Sequence, residues 1–259
     1  MNESKVVKNV LEAAKPYLEG KTVTDVVVGI SLISCQLSDG SVGVSYVLRY
    51  GLPPSCSAFS YVKNAVGMPA EAVAGWLLEK DDFIGRSIGS SVLSAASQAL
   101  AIEDDNNPNQ LFGLDFMAED TVGMIGMIGP VAKSLQSKVK EVIVFDESIS
   151  AFGGNVSVYP MEKQKELLPK CNKVIITGSS TINGSIDGLL EMCENAEEIV
   201  MVGSSTPMYP LGWKDTKVTR LAGSWWKNEQ KEEIFRKISQ GSGIMELNGC
   251  MEKKVASVK

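Results

Sequence analysis

The chain has 259 residues, 44% of them apolar, and a formal net charge of −6, enough for one large core or two modest ones. Neither half is basic, which argues against nucleic acid as a partner, and no apolar run reaches membrane-spanning length. There is no histidine, so Ser-His-Asp and Cys-His nucleophiles and histidine-ligated zinc are excluded together.

Residues 3–19 read as a helix. Val6, Val7, Val10, Leu11, Ala14 and Leu18 recur at three- and four-residue spacing and Gly20 supplies a stop. Pro16 is expected to end or kink this helix near Lys15. The start, Met-Asn-Glu-Ser-Lys, lacks the layout of a signal peptide, so a cytoplasmic location is expected. Thr22–Leu37 is rich in Val, Ile and Thr and forms either two strands or one strand bent at Gly29. Ser38-Asp-Gly40 reads as a hairpin turn into a strand over Ser41–Arg49. Tyr50–Tyr61, with two prolines and many serines, is a loop. Pro69 opens a helix to about Glu79, and Asp81 or Asp82 caps another over 83–102. Residues 1–102 therefore form an α+β domain.

Residues 103–110 contain the linker Glu-Asp-Asp-Asn-Asn-Pro-Asn, polar and turn-forming. In 111–259 strands and helices alternate. Strands are predicted at 121–126, 141–146, 173–177, 198–202 and 217–221, and helices at about 130–138, 162–169, 184–195 and 228–239. This alternation predicts an α/β doubly wound parallel sheet. Glu147–Pro160 replaces a regular helix and holds a short strand near Val156–Tyr159. Lys253, Lys254 and Lys259 read as a solvated terminus.

Three strand ends carry glycine turns, and that edge of an open parallel sheet is where small molecules bind. The first is Gly126-Met127-Ile128-Gly129. It lacks the middle glycine of a dinucleotide turn, which disfavours close approach of a pyrophosphate. Asp146, 20 residues after Gly126, stands where a ribose-binding acid would sit, so a nucleoside-containing cofactor still fits. The alternative is that Gly126 and Gly129 serve only strand–helix packing.

The second turn offers Gly178, Ser179, Ser180, Thr181, Asn183 and Gly184, either for a ligand or for capping a helix. The third offers Gly203, Ser204, Ser205, Thr206 and Pro207 as a rigid polar wall. Asp146, Glu147 and Asp187 are the nearest acid/base candidates, and no metal site is assigned. Trp225-Trp226 stacks on a planar ligand, forms the interface of a homo-oligomer, or packs in the core. Five scattered cysteines without a C-x-x-C fit reduced, buried thiols. Cys56, in the polar loop, is the one to test for reactivity.

The chain resembles a bacterial and archaeal family of unknown function described as "putative heavy-metal chelation". The resemblance rests on Val122-Gly-Met-Ile-Gly126, Leu167-Leu-Pro-Lys-Cys-Asn-Lys-Val-Ile-Ile-Thr-Gly178, Thr181-Ile-Asn-Gly184, Gly203-Ser-Ser-Thr-Pro207 and Leu221-Ala-Gly223. Looser matches lie at Val28-Gly-Ile, Asp39-Gly-Ser-Val-Gly43 and Arg86-Ser-Ile-Gly89. Ser94 stands where the family pattern is expected to carry asparagine. The resemblance implies an enolase N-terminal-like domain, a Rossmann-like domain and a cleft between them. It also implies a role with flavin-, pterin- or siderophore-like chelators.

With no histidine and no clustered cysteine, the residues themselves favour a chelating small molecule or a metal–chelate complex over a bare soft metal. Three activities fit: an enzyme acting on such a ligand, a binder without chemistry, or an NAD- or S-adenosylmethionine-dependent enzyme.

Overall fold

The computed structural model describes residues 4–50, 52, 58–102, 107, 109–146 and 157–258. Ser4 opens α1 (Lys5–Leu18), its hydroxyl accepting from the Val7 amide at 3.1 Å. The helix does not end at Lys15 but runs through Pro16 to Leu18. Proline in the last turn removes a single hydrogen bond, and continuing the register buries Leu18 on the same stripe as Val7, Val10 and Ala14.

Thr22–Leu37 resolves into two strands, β1 (Val23–Val28) and β2 (Leu32–Leu37), which with β3 (Val42–Tyr46) form an antiparallel meander of order β1-β2-β3. α2 (Ala70–Glu79) begins after Pro69. α3 (Phe83–Ala96) is capped by Asp82, whose carboxylate accepts from the Gly85 amide at 2.9 Å. The regular helix stops at Ala96, short of the expected end, and tightens into a 3-10 turn over Ser97–Ala99.

The larger sheet contains β4 (Thr121–Ile125), then α4 (Gly129–Gln136), β5 (Glu141–Phe145) and β6 (Ser157–Tyr159). α5 (Gln164–Leu167) leads to β7 (Lys173–Thr177), followed by the short helices α6 (Ser179–Ile182) and α7 (Ile186–Met192). β8 (Glu198–Val202), α8 (Pro210–Trp213), β9 (Arg220–Trp226), α9 (Lys231–Ser239) and β10 (Met251–Ser257) complete it. The strand order is β10-β9-β8-β7-β4-β5-β6, parallel except for the antiparallel pair β9–β10. From β4 the chain winds first toward β6, then crosses to β7 and winds the other way. The switch point therefore lies between the carboxyl ends of β4 and β7.

Two expectations change at the last strands. The strand read at 217–221 is Arg220–Trp226, so it carries both tryptophans. Trp226 is buried beside Leu32, Val42 and Val44, while Trp225 lies under the Lys254 ammonium at 5.1 Å. Lys253 and Lys254, read as part of a solvated terminus, lie in β10. Charged side chains on an edge strand discourage pairing with another chain, and they also mask the strand in the sequence.

The small sheet, α2 and α3 pack against the larger sheet in one continuous apolar cluster. α3 lies against β3 at Gly43, where a Cβ would collide with the Ser91 carbonyl and the Ala95 amide. It lies against α2 at Gly89, where a Cβ would stand 2.7 Å from the Leu77 amide. Small residues thus make α3 the shared layer between the two sheets.

Candidate functional site

The three glycine turns meet at the carboxyl edge of the larger sheet. At Gly126 (φ +87°) a Cβ would lie 3.1 Å from the Thr177 side chain, so the first and second turns touch across the switch point. At Gly178 a Cβ would lie 2.5 Å from the Ser205 carbonyl carbon and also collide with the Thr206 amide. The second and third turns therefore pack backbone to backbone. Gly178 supplies this close approach, whereas a Cβ at Gly203 would meet nothing within 4 Å.

Burial divides the predicted ligand residues into two groups. Gly126, Met127, Ile128, Gly129, Asp146, Ser179, Asn183, Gly184 and Gly203 retain contact with solvent. Gly178, Ser180, Thr181, Ser204, Ser205, Thr206 and Pro207 are interior. Among these, Ser180 donates to the Thr177 carbonyl and Thr181 to the Gly178 carbonyl, both at 2.8 Å. Ser205 Oγ accepts from the Tyr46 amide at 2.9 Å and so ties the third turn to β3. Ser204 Oγ and Thr206 Oγ1 are buried with no hydrogen-bond partner among the described residues. Such orphans are uncommon and call for an explanation.

The acid candidates separate. Asp146 sits just beyond β5 and accepts from the Met127 amide at 2.7 Å, so it orders the first turn. Asp187 faces away from the edge. It accepts from the Ser4 hydroxyl and from the Lys5 and Val6 amides at 3.1 and 3.2 Å, a carboxylate at a helix N-terminus. Glu147 and Cys56 lie outside the described residues. Asn183 Oδ1 accepts from the Ser185 amide and hydroxyl, an Asx turn that leads into α7 without a side-chain cap.

Opposite the turns stands the start of α3, which sequence reading did not assign to the site. Arg86 donates to the Lys80 carbonyl through Nε at 2.7 Å and to the Ile182 carbonyl through a terminal nitrogen at 3.2 Å. The phenol of Tyr50 accepts from Asn183 Nδ2 at 3.1 Å, and its ring meets Phe83 edge-on at 5.5 Å. The available signal was Arg86 itself, a cation inside an otherwise apolar and serine-rich helix.

The four described cysteines are buried. Burial pushes the thiols of Cys35 and Cys171 up to about 12 and that of Cys193 to about 11, so they stay protonated at neutral pH and are poor metal ligands. Among the described residues no three His, Cys, Asp or Glu side chains converge into a metal-binding group. No described helix is long and apolar enough to cross a membrane.

If Gly126 is required for its conformation and its contact with Thr177, Gly126→Ala should destabilise the protein by about 1–2 kcal/mol, the cost of a left-handed alanine. An unchanged urea midpoint would refute that role.

A family model described as "Putative heavy-metal chelation" (DUF364) matches residues 110–257, and a second with the same description (DUF4213) matches residues 11–97. An uncharacterized protein of Methanocaldococcus jannaschii is 24% identical over 181 residues, covering 69% of this chain and 68% of its own length. Two solved DUF364 proteins of unknown function share the fold. One, from Pyrococcus horikoshii, has a TM-score of 0.74 at 21% identity, covering 98% of this chain and 99% of that one. The other, from Desulfitobacterium hafniense, has a TM-score of 0.76 at 18% identity and covers 97% of each chain. The chain belongs to the DUF364 "putative heavy-metal chelation" family.

Proposed function

We propose that the protein binds a small chelating metabolite, or its metal complex, in the crevice where the turns after β4 and β7 face the start of α3. The ligand class is pterin-, flavin- or siderophore-like. The supporting observation is a contrast. The Gly126–Gly129 turn and the hydroxyl-rich turn after β7 flank the switch point, where α/β sheets take ligands, with the third turn packed beside them, while the described residues do not fit a soft-metal ion. In this reading the metal arrives already complexed and is cargo. Residues 1–102 and 111–259 act as two domains joined by the 103–110 linker, and the protein works in the cytoplasm.

Asp146, held by the first turn, orients that turn toward the ligand. A second reading, a nucleoside-containing cofactor, draws on its place beyond the second strand of the sheet. Native mass spectrometry of the intact purified chain tests the main reading. An organic adduct that is released on denaturation and binds metal supports it. An adenine nucleotide or S-adenosylmethionine in that place would favour the second reading instead.

A further inference from the structure

The crevice needs a group that meets the charge of its ligand, and none of the three turns supplies a cation. Arg86 lies at their junction with α3. Its guanidinium has five N–H donors, of which the Lys80 and Ile182 carbonyls take two. Among the described residues no carboxylate pairs with it. The nearest acid on its own helix, Asp82, is engaged by the Tyr61 hydroxyl at 2.7 Å and by the Gly85 amide. A partly buried guanidinium without an anion is costly to hold.

Arg86 also borders exposed backbone of the second turn. Gly184 is exposed with φ +76°, and a Cβ there would stand 3.4 Å from an Arg86 terminal nitrogen. Ser90 follows one turn later on the same face of α3. That face meets the turns at both ends: Arg86 reaches the Ile182 carbonyl, and the Leu93 carbonyl accepts from the Tyr209 hydroxyl at 2.7 Å. Ser90 Oγ lies between these contacts, at 2% exposure, with no hydrogen-bond partner among the described residues. Ser204 and Thr206, in the turn that ends at Tyr209, are orphaned in the same way.

We infer that Arg86 is the anion anchor of the crevice, gripping a carboxylate or phosphate of the ligand. This rests on the crevice reading proposed above. A planar guanidinium already fixed by two carbonyls suits a bidentate oxyanion, and carboxylates are common donor groups of metal chelators.

Calorimetry on the full chain, with citrate, pyrophosphate and neutral 1,10-phenanthroline as probes, tests the assignment. Saturable binding of citrate or pyrophosphate is expected, and which of the two binds separates a carboxylate from a phosphate ligand. Arg86→Gln should weaken that binding at least tenfold, roughly the worth of one charge-assisted contact. Arg86→Lys should fall between, because it keeps the charge and loses the fork.

Added salt should weaken binding to the wild-type chain, a readout that holds even if Arg86→Gln fails to fold. Unchanged affinity in Arg86→Gln, or a wild-type chain that binds neither anion, would overturn the assignment. Phenanthroline binding without either anion would overturn it and leave the crevice reading intact. Rejection of all three probes would count against both.

Discussion

Gly178→Val should destabilise the protein by about 3 kcal/mol or more and abolish ligand binding. Gly178 has φ −57° and ψ −22°, a conformation open to any residue, so the substitution tests space alone. The added Cβ would strike the Ser205–Thr206 backbone, which cannot swing aside as a long side chain can. Ser205 in turn holds the Tyr46 amide, so displacing the third turn also pulls on the small sheet. Gly178→Ala should show the same effect in milder form. Gly188→Ala is the matched control, since a Cβ there meets nothing within 4 Å. In a helix interior it should stabilise by about 0.5–1 kcal/mol. Equal urea midpoints for Gly178→Val and wild type would show that the turns do not depend on this contact.

Lys173→Met should cost about 3 kcal/mol at neutral pH by leaving the buried Asp120 carboxylate without its cation. At the amino end of β7 the Lys173 ammonium, itself buried, donates to the Asp115 carbonyl. It also lies 2.9 Å from Glu198 and 3.5 Å from Asp120. Burial works against the charges on both Lys173 and Asp120, but their partners outweigh it. Asp120 accepts from the Met117 amide and from Asn172, both at 2.7 Å, and faces Lys173, which together hold its carboxyl below the usual 3.8. Glu198 and Asp120 hold Lys173 above 10.5.

The signs follow from linkage. The Asp120 contribution is present above pH about 4 and is lost as pH falls through its lowered folded value. The Lys173 contribution is complete below pH 10.5 and fades as pH rises through its raised folded value. The gap between wild type and Lys173→Met, followed by urea denaturation, should therefore narrow in acid. A gap that is constant down to pH 2 would refute the coupling.

The parallel strands 141–146, 173–177 and 198–202 were legible because each is a continuous apolar run ending at a polar stop. The edge strands were harder to read. β10 is coded by Met-Glu-Lys-Lys, which looks like a tail until its pairing with β9 is known. The small sheet was visible through its Ser-Asp-Gly turn and its Val-rich strands.

The candidate site was legible as a sheet edge but not as a surface. Hydroxyls in a turn serve a ligand and a buried backbone equally well. Sequence could not show that Ser180 and Thr181 spend theirs on the carbonyls of Thr177 and Gly178. Nor could it show that Asp187 caps a helix that begins more than 180 residues earlier. Arg86 was not singled out because its partner on the second turn, the Ile182 carbonyl, lies across the fold.

In the proposed function the crevice takes a chelating molecule rather than a bare soft metal. Isothermal titration of the full chain with zinc, copper and nickel, each as the free ion and as its citrate complex, tests it most directly. Saturable binding of a complex, weakened in Arg86→Gln, is expected, with no tight one-to-one binding of any free ion. Tight stoichiometric binding of a free ion would contradict it.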